Sequence, residues 1–269
     1  MARKVQHRRW VVKAGSQMVV AGGPILVRAW MAQIAQLRKS FGIEVIWVTS
    51  GAIALAVDRT EFNSRKRKLP EKQALSAIGQ PIVMDLYNLA LNSTGLLGAQ
   101  VLLTAGDMKD PVRRKNLQNT LDKLLEWEAV PILNENDAVA TDEIQFGDND
   151  TLSSKIAHMM GAEKLVLLTD VNGLYDEDPR KNSKAKLIPY REKITKEDFK
   201  RAGSTGGTSR GTGGMYSKLL AAEFALKHDI VTHLVRGDWP QNLLQIAEGE
   251  LLGTQVGGKL FSQTKKAKR

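Results

Sequence analysis

Six short β-prone apolar runs recur along the chain, at residues 9–12, 43–49, 99–103, 130–133, 164–168 and 230–235. Stretches with helical spacing accompany them, at 24–40, 73–91, 116–128, 151–160, 215–227 and 240–248. This alternation constrains the fold more than any other feature. Parallel strands can be joined only by a crossover of about a dozen residues or more, and a helix is what fills it. Runs that are apolar on both faces belong to strands covered on both sides. The expected architecture is α/β, an open, mostly parallel, eight-stranded-type sheet sandwiched between helix layers. The first crossover shows the reasoning. Ile25, Leu26, Trp30, Ile34 and Leu37 repeat at helical intervals, Pro24 suits a first helical turn, and Phe41-Gly42 stops the run.

In such a sheet, ligands bind beyond the carboxyl ends of the strands. Four of the expected strands end in small or polar residues: Lys13 to Ser16, Thr49 to Ala52, Asn134 to Asp137, and Thr169-Asp170. Parallel strands put all four loops on one edge, and that convergence is the functional signal.

Composition narrows the chemistry. The chain has 269 residues, 42% hydrophobic and 25% charged, as an ordinary folded protein does. No apolar run approaches the about 20 residues needed to span a bilayer. There are no cysteines, which excludes disulfides, zinc–thiolate sites and cysteine nucleophiles. Trp10 to Val12 is too short for a signal-peptide core, so a cytoplasmic protein is expected. The net charge of +10 fits either polyanion binding or a basic surface that handles small anions. Basic clusters stand at Arg3 to Arg9, Arg65 to Lys72, Lys109 to Lys115 and Lys265 to Arg269. None is interleaved with stacking aromatics, so specific nucleic-acid binding is not expected.

Individual motifs admit two readings each. Lys13 before Ala14-Gly15-Ser16 is a charge beside a loop open to an oxyanion, or a lysine snorkelling from a strand end. The stretch from Gly203 to Gly214 holds six glycines and runs into Met215-Tyr216-Ser217-Lys218 at a helix start. It is a phosphate-binding loop or a surface loop, and it matches neither a Walker A nor a dinucleotide fingerprint. Phe146-Gly147-Asp148-Asn149-Asp150-Thr151 gathers carboxylates and an amide, for ligands or for a helix cap. The four histidines show no metal-ligand spacing.

Taken together, these stretches are recognisable. Val12-Lys13-Ala14-Gly15-Ser16, Val48-Thr49-Ser50-Gly51-Ala52-Ile53, Gln100-Val101-Leu102-Leu103-Thr104 and Val130-Pro131-Ile132-Leu133-Asn134-Glu135-Asn136-Asp137 are followed by Phe146 to Leu152, Leu167-Leu168-Thr169-Asp170, and Gly211-Thr212-Gly213-Gly214-Met215 with Lys218. Over about residues 9–256 the chain resembles the amino acid kinase family. The Asn-Glu-Asn-Asp and Phe-Gly-Asp-Asn-Asp runs resemble the branch that phosphorylates free glutamate.

The resemblance implies ATP-dependent transfer to the γ-carboxylate of L-glutamate, giving γ-glutamyl phosphate, the first step towards proline. It implies catalytic roles for Lys13, Asp150 and Lys218, with both lysines flanking the transferred group and Asp150 fixing them. It implies that Ser50, Asp137 and Asn149 bind glutamate. Lys13, Gly15, Ser16, Thr169, Asp170, Gly211, Thr212, Gly213, Gly214, Met215 and Lys218 would bind ATP. Mg²⁺ would be held mainly by ATP and water, with no protein metal site.

The family also implies a homo-oligomer, dimer or tetramer, and hand-over of the product to glutamate-5-semialdehyde dehydrogenase. Many bacterial members carry a C-terminal PUA domain. Here the expectation is a kinase domain over residues 1–261 and a basic tail at 262–269. Competing members act on acetylglutamate, aspartate, carbamate or uridylate. Of these, an acetylated acceptor has no ammonium group for Asp137 to pair. A different class, a silent nucleic-acid-binding protein, would rest on the net charge alone.

Overall fold

The structure, a computed structural model, describes residues 8–60, 62, 67–139, 149–203 and 214–259. Its sheet has eight strands: β1 (Arg8–Ala14), β2 (Ile43–Val48), β3 (Gly98–Leu103), β4 (Val130–Glu135), β5 (Lys164–Thr169), β6 (Tyr190–Arg191), β7 (Val231–Arg236) and β8 (Thr254–Val256). Their order is β3-β4-β2-β1-β5-β7-β8-β6. The first six in that order run parallel, and β8 turns back antiparallel to β7 with β6 parallel to it. The sheet is the expected one. Its two shortest strands, β6 and β8, lie outside the six apolar runs, because two or three residues are too few to show a period.

Strand alternation divides the core. Trp10, Val12, Val45, Trp47, Ile132 and Val166 face one side. There they meet α1 (Ser16–Phe41), α3 (Leu69–Asn92) and α9 (Asn242–Ala247), with α2 (Ala52–Thr60) packed on α3. Val11, Ile46, Val48, Leu133, Leu165 and Leu167 face the other side. They meet α5 (Pro111–Glu126), α6 (Asn149–Met159) and α8 (Met215–Leu226). Two short helices, α4 (Ala105–Lys109) and α7 (Lys196–Arg201), complete the described elements. The same parity decides the fate of Lys13. It follows Val11 by two residues, so it points to the α6 and α8 side.

Helix α1 corrects two expectations. It starts at Ser16, eight residues before Pro24, and breaks at Gly23, whose φ of 52° and ψ of −154° are not helical. Pro24 then opens the second segment, where its fixed φ suits a first turn. By length and composition α1 could span a bilayer, with an 18-residue window of mean hydropathy 1.4. Scattered polar residues such as Arg28 and Gln33 break the run in a residue-by-residue reading. Val27, Trp30, Met31, Ile34 and Leu37 are buried in the core, so α1 is a core helix.

An aromatic ladder links this core to the functional edge. Trp30 stacks at 5.4 Å on Trp47, and Trp47 lies 5.9 Å from Tyr87. Tyr87 hydroxyl meets Thr49 Oγ1 at 3.0 Å, and burial pushes its pKa up to about 12. The loop after β2 is thereby anchored from beneath.

Helices α2 and α3 approach so closely at Gly79 that an added Cβ would stand 1.8 Å from the Ala52 carbonyl oxygen. The neighbour is backbone and cannot rotate away. Gly79→Ala should therefore force the helices apart and destabilise the protein by about 1–3 kcal/mol or more. Urea unfolding would show a lower midpoint at unchanged m value; an unchanged midpoint would mean that the crossing is loose.

Candidate active site

In register, Lys13 lies opposite Val48 on β2 and Leu167 on β5. The loops that follow β1, β2 and β5 therefore leave the sheet side by side, and β4 delivers Asn134 and Glu135 beside them. Helices α1, α2 and α6 begin at this edge, and α8 begins against α6.

Three charged side chains meet in the interior. Asp150, in the first turn of α6, is fully buried. Lys13 Nζ lies 2.6 Å from its Oδ1, and Lys218 Nζ lies 3.1 Å from its Oδ2. Ser217 Oγ donates to the same Oδ2 at 2.8 Å. Both lysines are buried too, at 2% and 4% exposure, so Lys13 is not snorkelling into solvent. Burial alone would raise the pKa of Asp150. The charges of Lys13 and Lys218, with hydrogen bonds from Lys13 and Ser217, reverse this and bring it down to about 2. Two ammonium groups thus share one carboxylate in a water-poor place.

A second group of polar side chains gathers around Asn149, the neighbour of Asp150. Asn149 Nδ2 lies 2.7 Å from the Thr49 carbonyl, 2.7 Å from Ser50 Oγ and 2.8 Å from Asn134 Oδ1, three acceptors that share its two hydrogens. Neither Asn149 nor Asp150 is spent on capping its own helix by these contacts. Asp137 sits in the turn after β4, and burial raises its pKa while the charge of Lys72 on α3 works against that rise.

On the opposite flank, Thr169 Oγ1 donates to Asp170 Oδ1 at 3.2 Å, and Asp170 is paired with Arg180. Gly15 and Gly214 are the N-caps of α1 and α8, and neither helix start receives a side-chain cap. Ser16 and Asp170 line a cleft of about 640 Å³ with Arg236 and Asp238. Met215 is partly buried at the start of α8. Gly211, Thr212 and Gly213 lie outside the described residues, as do Phe146 to Asp148.

The structure thus brings together Lys13, Asp150 and Lys218, and separately Ser50 and Asn149. Three nearby residues escaped sequence reading. Ser217, Lys72 and Gln80 are ordinary polar positions on helices, and only the packing of α8 and α3 brings them here. Two of the four histidines are also less scattered than they look in sequence: the rings of His158 and His228 lie 3.8 Å apart, at the far ends of α6 and α8.

Because the pKa of Asp150 lies below its ordinary 3.8, the cluster's contribution to stability is whole above about pH 4 and is lost as pH falls towards 2. Urea unfolding from pH 7 to 2 should show a constant gap between the native protein and Asp150→Asn down to about pH 4, then a shrinking one. A gap that starts closing near neutrality would contradict the ion-paired carboxylate.

Known proteins bear on this site. The family described as "Amino acid kinase family" matches residues 8–236. The chain is 43% identical over 250 residues to a glutamate 5-kinase of Thermoanaerobacter sp. (strain X514), spanning 91% of this chain and 67% of that protein. It is 44% identical over 255 residues to a glutamate 5-kinase of Meiothermus ruber, at 94% and 67% coverage. A third glutamate 5-kinase, from Carboxydothermus hydrogenoformans, is 43% identical over 264 residues, at 96% and 70% coverage. Among solved structures, isopentenyl phosphate kinase shares the fold, with a TM-score of 0.63 at 15% identity, over 93% of this chain and all of that one.

Proposed function

The chain belongs to the amino acid kinase family, among its glutamate 5-kinases, and from that premise we propose how its residues divide the work. It transfers a phosphoryl group from ATP to the γ-carboxylate of L-glutamate, yielding γ-glutamyl phosphate on the route to proline. The single observation that carries the residue-level reading is Asp150, clamped between two buried lysines.

The attacking carboxylate has an ordinary pKa of about 4.3 and is already ionised at neutral pH, so no general base is needed. The obstacle is repulsion between two anions. Phosphoryl transfer then depends on positioning and on positive charge around the moving group. Lys13 and Lys218 supply that charge, and Asp150 holds both in place. The open N–H groups at the starts of α1 and α8 add further donors for phosphate oxygens. Thr169, Asp170 and the segment from Gly211 to Lys218 serve the nucleotide. Mg²⁺ enters with ATP as part of the substrate; Asp150, with both oxygens engaged, is not its ligand.

On the acceptor side, Ser50 and Asn149 orient glutamate, and Asp137 pairs with its ammonium group. The reading extends to a homo-oligomeric, cytoplasmic enzyme with one catalytic domain over residues 1–261 and a basic tail at 262–269. It recognises no specific nucleic acid. Its acyl phosphate product hydrolyses readily, which favours hand-over to glutamate-5-semialdehyde dehydrogenase.

ADP release measured with L-glutamate, N-acetylglutamate and L-aspartate tests the assignment; turnover with either alternative in preference to glutamate would refute it. Lys13→Ala and Lys218→Ala should each lower kcat by about 100-fold or more in folded protein. Normal turnover in either would remove that lysine from its role.

Asp137→Asn keeps the shape but loses the charge. Its glutamate KM should rise about tenfold or more, with a much smaller change for ATP. A selective ATP defect would mean that the two flanks are misassigned.

A further inference from the structure

Behind the acceptor side, three buried or half-buried amides form a relay. Asn149 Nδ2 donates to Asn134 Oδ1 at 2.8 Å, and Asn134 Nδ2 donates to Gln80 Oε1 at 2.8 Å. The direction of this relay is fixed at both ends by backbone. The Thr49 carbonyl can only accept, so it holds Asn149 Nδ2 at 2.7 Å. The Glu135 N–H can only donate, and it holds Asn134 Oδ1 at 3.0 Å. Asn134 must therefore present its NH₂ to Gln80, and Gln80 must answer with oxygen.

This arrangement leaves Gln80 Nε2 buried, with no acceptor among the described residues. Gln80 is 6% exposed, and an unpaired buried donor is destabilising. An unbranched apolar side chain of similar size would remove that penalty but take the acceptor from Asn134 Nδ2, so the exchange costs the fold little in either direction. Nor is Gln80 placed loosely. Its neighbour Gly79 presses α3 onto the Ala52 backbone, so the helix cannot shift to give Nε2 a partner.

We infer that Gln80 is a positioning residue for glutamate. Its oxygen locks Asn134, and Asn134 locks Asn149 with Nδ2 turned to Thr49 and Ser50. The Asn149 oxygen then faces away from all three, free of their competition and in one orientation when the acceptor arrives. The inference rests on the glutamate-binding reading of Asn149 and adds a residue that touches the acceptor only through others.

Gln80→Met in the full chain separates this role from a structural one. The glutamate KM should rise about tenfold, the ATP KM should stay within about twofold, and the thermal midpoint should move by no more than a few degrees, because one unpaired buried donor replaces another. An unchanged glutamate KM would overturn the inference. So would a lowered midpoint with both KM values raised together, or a variant that fails to fold, since each makes Gln80 a structural residue. The native protein, assayed beside it, keeps the two levels apart. If it prefers another acceptor, the glutamate assignment fails, and the relay is then judged by the KM for that acceptor.

Discussion

A buried carboxylate shared by two buried lysines is the constraint on which this structure turns. Asp150 is buried, charged and shared by Lys13 and Lys218. Burying three charges is costly, and the geometry must be good for the cluster to exist at all. The strand parity of β1, the first turn of α6 and the first turn of α8 are each needed to bring one member in. The fold around them is the device that holds these three ends at one point.

The rest of the site is built on pieces that cannot yield. Thr49 is tied to Tyr87 at the end of an aromatic ladder reaching down to Trp30. Asn134 and Asn149 are tied to backbone groups at Glu135 and Thr49. Helix α3 is wedged against α2 at Gly79. Preorganisation of this kind matters for phosphoryl transfer, where there is little chemistry to perform beyond placing charge.

Much of this was legible in the sequence, for identifiable reasons. The apolar runs of β1, β2, β4 and β5 are buried on both faces, which leaves an unmistakable signal and places their loops on one edge. Lys13, Asp150 and Lys218 sit in short motifs that are informative together, although each alone also fits a snorkelling lysine or a helix cap. What was not legible depended on packing. β6 and β8 are too short to show a period. Gly23 divides α1 by a backbone angle that no side-chain pattern announces. Lys72 and Gln80 lie eight residues apart on α3, and nothing local marks them as meeting Asp137 and Asn134 rather than solvent or the core.

The reversal of a single strand has a consequence for how such a chain can be extended. β8 runs against β7, with Thr254 paired to Leu234 and Val256 to Thr232, so it carries the backbone from the reactive edge back across the sheet. At Gly257 and Gly258 the chain has reached the beginning of β7, beside Val231 and the end of α8. The onward chain leaves from the level of Val231, three residues down the strands from the level that Lys13 and Leu234 share. The reversal thus turns the onward path of the chain away from the edge where the loops after β1, β2 and β5 leave the sheet.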